Sequence, residues 1–200
     1  HRGMETITYM KAGRMRHRDH MGNEGVIGPG DVQWMTAGRG VLHSEMPEQE
    51  SGLLHGFQLW LNLPAAEKMK PAAYRDIRAR DIPAKDLGEG GKVAVIAGNV
   101  SINNETLLSG VLPKFTTEPV LVDVSLSRNQ SISLSFNPYY PALVYVIQGG
   151  LVGEYDIGKT SMGIFSEGEY MTLSAGDLGA SLLILSGKPI KEPIVQYGPF

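Results

Sequence analysis

Two stretches of this chain repeat at a nearly constant offset, and a chain that repeats itself folds around two related cores. Ile7-Thr-Tyr-Met-Lys-Ala-Gly13 is similar to Leu143-Val-Tyr-Val-Ile-Gln-Gly149, about 136 residues on. Pro29-Gly-Asp-Val-Gln-Trp-Met-Thr-Ala-Gly38 is similar to Glu167-Gly-Glu-Tyr-Met-Thr-Leu-Ser-Ala-Gly176, about 138 residues on. Chance similarity rarely keeps such a register over two segments.

The repeated unit reads as β structure. Short runs such as Thr6-Ile-Thr-Tyr-Met10, Val120-Leu-Val-Asp-Val124 and Ala142-Leu-Val-Tyr-Val-Ile147 are separated by turn residues drawn from 25 Gly and 12 Pro. Gly30-Asp31 and Gly168-Glu169 supply turns, because glycine reaches positive φ without a Cβ clash. The expectation is an all-β chain of two barrels related by internal duplication. The segment from Pro71 to Gly91, rich in Arg, Asp, Ala and Gly, has weak β character. It divides the chain into a first barrel over 1–70, a linker over 71–91 and a second barrel over 92–200. The one stretch with helical character, Ala65 to Tyr74, is interrupted by Pro71 and reads as a connector.

Composition narrows the function classes. With 42% hydrophobic and 20% charged residues, a net charge of −3 and no long uncharged apolar run, nothing argues for a membrane span or a disordered tail. Basic residues are dispersed, and Arg14-Met-Arg-His-Arg18 reads as a solvated hairpin face, so direct nucleic-acid binding is not expected. Cysteine is absent, so a metal must be held by nitrogen and oxygen ligands. A cytoplasmic location, nuclear as well in a eukaryote, is compatible with this. The chain opens on His1 rather than Met and reads as trimmed or processed.

All five histidines, His1, His17, His20, His43 and His55, lie in the first 55 residues. His43 and Glu45 are two apart in a strand-like segment, so both side chains leave one face of the sheet. Imidazole and carboxylate together suit a divalent ion such as Fe(II), Mn, Ni or Zn. The plainer reading is a hydrogen-bonded polar pair at a barrel mouth. His1 would complete a two-His, one-carboxylate set, and Glu5, four residues on, would share its face in an extended strand. An amino-terminal His can also chelate copper, and a frayed terminus with no role stays open. At the offsets above, His1 falls opposite Asn137, Glu5 opposite Pro141, His43 opposite Ser181 and Glu45 opposite Leu183. One barrel looks equipped and the other structural.

Several blocks together carry a family resemblance. They are His1-Arg-Gly-Met-Glu-Thr6, His17-Arg-Asp19, the run Gly30-Asp-Val-Gln-Trp-Met-Thr-Ala-Gly-Arg-Gly-Val-Leu-His-Ser-Glu-Met-Pro47, His55-Gly-Phe-Gln-Leu-Trp-Leu-Asn62, and Gly187-Lys-Pro-Ile-Lys-Glu-Pro-Ile-Val-Gln-Tyr-Gly-Pro-Phe200. These closely resemble the pirin family, bicupins of the cupin superfamily. The resemblance implies two cupin, jelly-roll-like β-barrels with one metal ion in the first, whose amino-terminal part falls outside the chain. It implies three His and one Glu as ligands. His1 matches the second His of a His-x-His-Arg-Gly motif, His43 and Glu45 match a His-x-Glu motif, and the first His falls two residues upstream of His1.

The resemblance also implies quercetin 2,3-dioxygenase activity, in which a flavonol ring is opened with O2 at a mononuclear divalent metal. Fe(II) is the first expectation, with Mn, Ni, Cu or Zn as alternatives. The metal would act as a Lewis acid on the flavonol 3-oxygen, and Glu45 would stay a ligand or swing off to take the proton. The alternative is a metal- or redox-sensing adaptor, a transcriptional co-regulator or enzyme-binding protein without turnover. His17 and Asp19, two apart, would orient ligands or substrate together with Glu5. His20 is expected in an exposed turn, His55 as a satisfied barrel residue, and Trp34 and Trp60 as core.

Overall fold

Alternating runs between glycine turns do fold as strands along the chain, in a computed structural model that describes residues 1–112 and 115–195. Residues 196–200 of the carboxy-terminal motif lie outside the described residues. The contacts separate into two units. One holds His1–Asp81 with the described residues from Ile190 on, and the other holds Ile82–Pro189.

The first unit contains β1 (Met4–Ala12), β2 (Met15–Asp19), β3 (Glu24–Ile27), β4 (Val32–Thr36), β5 (His43–Pro47), β6 (His55–Asn62) and β7 (Ala73–Ile77). They form two antiparallel sheets, ordered β6-β1-β4-β7 and β3-β2-β5. The second unit contains β8 (Ala84–Gly88), β9 (Gly91–Ala97), β10 (Asn99–Ile102), β11 (Thr106–Ser109), β12 (Val120–Leu126), β13 (Ser131–Ser135), β14 (Ala142–Leu151), β15 (Ile157–Gly158), β16 (Met162–Phe165) and β17 (Met171–Ser186). Their path runs β11-β10-β13-β17-β12-β9-β8, with β14 beside β17 and the short β15 and β16 beside β14.

The segment read as a linker over 71–91 supplies a strand to each unit: β7 pairs with β4, and β8 pairs with β9. The boundary falls between Asp81 and Ile82. Charged residues such as Arg75, Asp76 and Lys85 hide these strands because edge strands carry charge against further pairing. Of the helical stretch, only a single 3-10 turn at Ala65–Glu67 forms after Pro64, and β7 begins at Ala73.

Strand pairing revises the register of the repeat. In the first unit Ile7 lies opposite Trp34. Their expected counterparts do not pair: Leu143 lies opposite Leu185, while Thr172 lies opposite Ser133. The strand that stands to Met171–Ser174 as β1 stands to β4 is therefore β13. Glu5 lies opposite Thr36, and the counterpart of Thr36, Ser174, lies opposite Ser131. Ser131, not Pro141, is thus the counterpart of Glu5, and that of His1 falls ahead of β13 rather than at Asn137. The match at Leu143–Gly149 misled because alternating strands look alike, and only pairing distinguishes one register from another. With the second offset kept, Ser181 and Leu183 take the places of His43 and Glu45.

The turn before β4 is built around Asp31. Its carboxylate accepts from the amides of Gly28 (3.0 Å) and Ala79 (2.9 Å) and from Arg78 Nη1 (2.8 Å). Gly30 sits between them at φ 81°, with Ala79 where a Cβ would go. Burial alone would raise the Asp31 pKa, but these donors outweigh it and hold the carboxyl below the usual range. Asp31→Ala is expected to cost about 1–3 kcal/mol at neutral pH. With the folded-state pKa depressed, that contribution is complete above the unfolded value of about 3.9 and is lost as pH falls through the folded-state pKa. Urea unfolding of both proteins at pH about 7 and about 2.5 checks this, since the gap should narrow in acid.

Candidate functional site

Directly opposed residues in antiparallel strands share a face, so cross-strand partners form rows. On the inner face of the first unit, one row runs Gln58, Thr8, Gln33, Asp76, and the next runs Trp60, Thr6, Met35, Tyr74. The first is polar throughout. It is buried at Thr8 and Gln33 and exposed at Gln58, on the edge strand β6. The smaller sheet faces these rows with His17 opposite Glu45 and Asp19 opposite His43. All four point the same way, because both pairs are spaced two apart on their strands.

The second unit puts apolar side chains in the equivalent rows. By the pairing above, Leu134 and Met171 stand where Thr8 and Gln33 do, and Ile132 and Leu173 where Thr6 and Met35 do. All four are buried. A polar interior is stable only where its groups are hydrogen-bonded, so the polar rows of the first unit mark a place built for something other than packing.

Two histidines meet there, with Glu45 two residues from the second on the same face. His1 Nδ1 lies 2.6 Å from His43 Nε2, with the ring centroids 4.8 Å apart. His1 is also held by its backbone, since its carbonyl accepts from the Val41 amide at 2.9 Å. The Glu45 carboxylate accepts from Thr8 Oγ1 at 3.0 Å and from Gln58 Nε2 at 2.5 Å. Burial holds the His43 imidazole below its ordinary pKa, opposed by the Glu45 carboxylate. The ring is therefore neutral near pH 7 and offers a lone pair.

Among the described residues no three His, Asp or Glu side chains stand together in metal-ligating geometry. The donor chemistry nonetheless fits an ion. The two ring nitrogens meet across one shared N–H, and two nitrogen ligands of a tetrahedral ion of Zn size lie somewhat farther apart, about 3.3 Å. A cation in place of the shared hydrogen needs a small separation of the rings.

Of the other expected residues, His17 and Asp19 face the site but engage other partners, and Glu5 falls elsewhere. Glu5 does not share the face of His1: β1 starts at Met4, and Gly3 at φ 68° breaks the alternation ahead of it. Glu5 is 0% exposed on the opposite face of β1, where Oε1 accepts from Thr36 Oγ1 at 2.8 Å and pairs with Lys70 Nζ at 3.2 Å. Asp19 caps the β2–β3 hairpin, accepting from the Met21 and Asn23 amides and from Asn23 Nδ2. Burial opposes ionisation there, but the Asn23 side chain and amide, the Tyr74 hydroxyl and the Met21 amide bring its pKa down to about 2. In return, burial first and the Asp19 carboxylate second push the Tyr74 phenol well up. His17 is 6% exposed, stacked on Tyr74 with centroids 6.1 Å apart, and its Nε2 lies 3.6 Å from Asp76 Oδ2.

His20 is exposed in the hairpin turn as expected, and His55 packs on Phe57 at the start of β6. Trp34 is core at 2% exposed, but Trp60 is 64% exposed beside His1, with centroids 5.2 Å apart in edge-to-face geometry. Thr8, Gln58 and Asp76 were not anticipated. The one available signal was the spacing Gly56, Gln58, Trp60, Asn62, which puts polar and aromatic residues on one face of an otherwise apolar strand.

A jelly-roll-like unit with a polar, histidine-bearing interior, followed in the chain by one lined with aliphatics, defines a bicupin. The Pirin family model matches residues 1–61, and the Pirin C-terminal cupin domain model matches residues 121–200. A Pseudomonas aeruginosa protein named "Putative quercetin 2,3-dioxygenase" is 46% identical over all of this chain and 71% of its own length. Mouse pirin is 38% identical over all of this chain and 69% of its own. A solved quercetin 2,3-dioxygenase from Acinetobacter baumannii, 36% identical, superposes with a TM-score of 0.91 over all of this chain and 70% of that one. The chain belongs to the pirin family.

His17 keeps its place because Gly25, opposite it on β3, has no side chain: a Cβ there would run into His17 Nε2. Gly25→Ala should displace the imidazole and destabilise the protein by about 1–3 kcal/mol, read as a lower midpoint in thermal unfolding, while Gly153→Ala, which meets no neighbour and needs no positive φ, should leave the midpoint in place.

Proposed function

We propose that this chain is a metal-dependent quercetin 2,3-dioxygenase, in which His1, His43 and Glu45 hold one divalent ion, Fe(II) first among the candidates. The observation that carries this is the approach of the His1 and His43 rings to 2.6 Å in a polar interior that also holds Glu45. The names of the Pseudomonas and Acinetobacter relatives support the substrate class.

When bound, the ion supplies Lewis acidity that favours the phenolate form of a flavonol 3-hydroxyl. The protein supplies the rest. His43 is kept neutral by burial, and its ring offers a nitrogen donor. Thr8 and Gln58 fix the Glu45 carboxylate by one bond to each oxygen, leaving further lone pairs to accept the substrate proton. The buried polar row behind it, Thr8 and Gln33, orients polar groups of the substrate. The overall reaction takes quercetin and O2 to a depside and carbon monoxide.

Protein purified without chelators should contain close to one equivalent of a divalent metal and consume O2 on addition of quercetin. His43→Ala should lose metal and activity while keeping its circular dichroism, because Ser181 occupies that place in the second unit. Elemental analysis and an oxygen electrode make the test. Stoichiometric metal without O2 uptake would count against the enzyme and for a metal-sensing adaptor.

A further inference from the structure

Trp60 belongs to the inner-face row of the first unit, opposite Thr6 and two residues from Gln58, so its indole turns toward the site rather than to the other face of the sheet. Its indole is not loose. Nε1 donates to Gln58 Oε1 at 3.0 Å, and its ring meets that of His1 edge to face. Taking the indole N–H through its oxygen, Gln58 must present its amide nitrogen elsewhere, and it does so to Glu45 Oε2. The hydrogen-bond chain from Trp60 through Gln58 ends on the carboxylate assigned as ligand and base.

We propose that Trp60 is the stacking platform for a planar aromatic ligand and that its indole N–H fixes the Gln58 amide that positions Glu45. The ring is held at its nitrogen and against His1, and a ring fixed in this way suits offset stacking against a flat polyphenol. A ligand lying there has one edge at His1 and another at the open end of the polar row, so stacking sets which oxygen reaches the carboxylate. Trp60 and Gln58 are positioning residues in this scheme. The reading rests on the flavonol assignment above.

The test is an anaerobic equilibrium titration of quercetin, which reads binding without turnover, on the wild type, Trp60→Ala, Trp60→Phe and Gln58→Leu. Trp60→Ala should weaken binding about 3- to 10-fold, and Trp60→Phe, which keeps a ring, should restore most of it. Gln58→Leu should leave binding within about 2-fold but lower kcat, because the carboxylate loses a donor while the indole, untied at Nε1, keeps its contact with His1. Acrylamide quenching gives an independent check, since Trp34 is buried and bound quercetin should shield the remaining, accessible tryptophan. Equal affinity of wild type and Trp60→Ala overturns this inference alone. No quercetin binding by the wild type overturns the flavonol assignment and this inference with it.

Discussion

Everything at the site hangs from the register of one strand. β1 runs between β4 and β6, and its side chains alternate between the two faces of the sheet. Thr6 and Thr8 project inward, where Thr8 binds Glu45, while Glu5, Ile7 and Tyr9 project to the other face and are buried there. A slip of one residue would exchange these sets, putting an isoleucine against the carboxylate and a threonine in the apolar layer. The pairs Thr8–Gln33 and Thr8–Gln58 are therefore the constraint that makes the polar row continuous.

The two units use similar strand pairing for opposite ends. In one, the corresponding rows are leucine, methionine and isoleucine, buried, and the core is apolar throughout. In the other, the same kind of row is Gln, Thr, Gln and Asp, which gives up apolar burial on that side and is tolerable because its members bond to one another or to Glu45. Histidine follows the same division: a neutral imidazole needs partial burial and a polar neighbour, and only the first interior offers both. His17, almost buried with Nε2 making no hydrogen bond and approaching Asp76 only to 3.6 Å, shows how far that interior departs from a packed core.

Particular residues show how much of this was legible. His43 and Glu45 could be placed on one face because a spacing of two has one meaning in a strand, and the glycine turns that delimit the strands could be read directly. Glu5 could not: its relation to His1 depended on where β1 begins, and the positive φ of Gly3 moved that start. The repeat was legible as a repeat, but not in register, since alternating residues match equally well at several offsets. Thr8 and Gln58 were unreadable as partners of Glu45 because they come from the other sheet and carry no spacing to it.

The sequence by itself determined the all-β class, the duplication, the confinement of histidine chemistry to the amino-terminal part and the family to which the chain belongs. These follow from local patterns, turn residues and motif blocks, which are properties of neighbours along the chain. Tertiary structure alone decided that His1 meets His43, that Glu45 is held from the opposite sheet, and that Trp60 lies open beside them while Asp19 closes a hairpin. Those are contacts between strands distant in sequence, set by cross-strand register and by which face of each sheet turns inward.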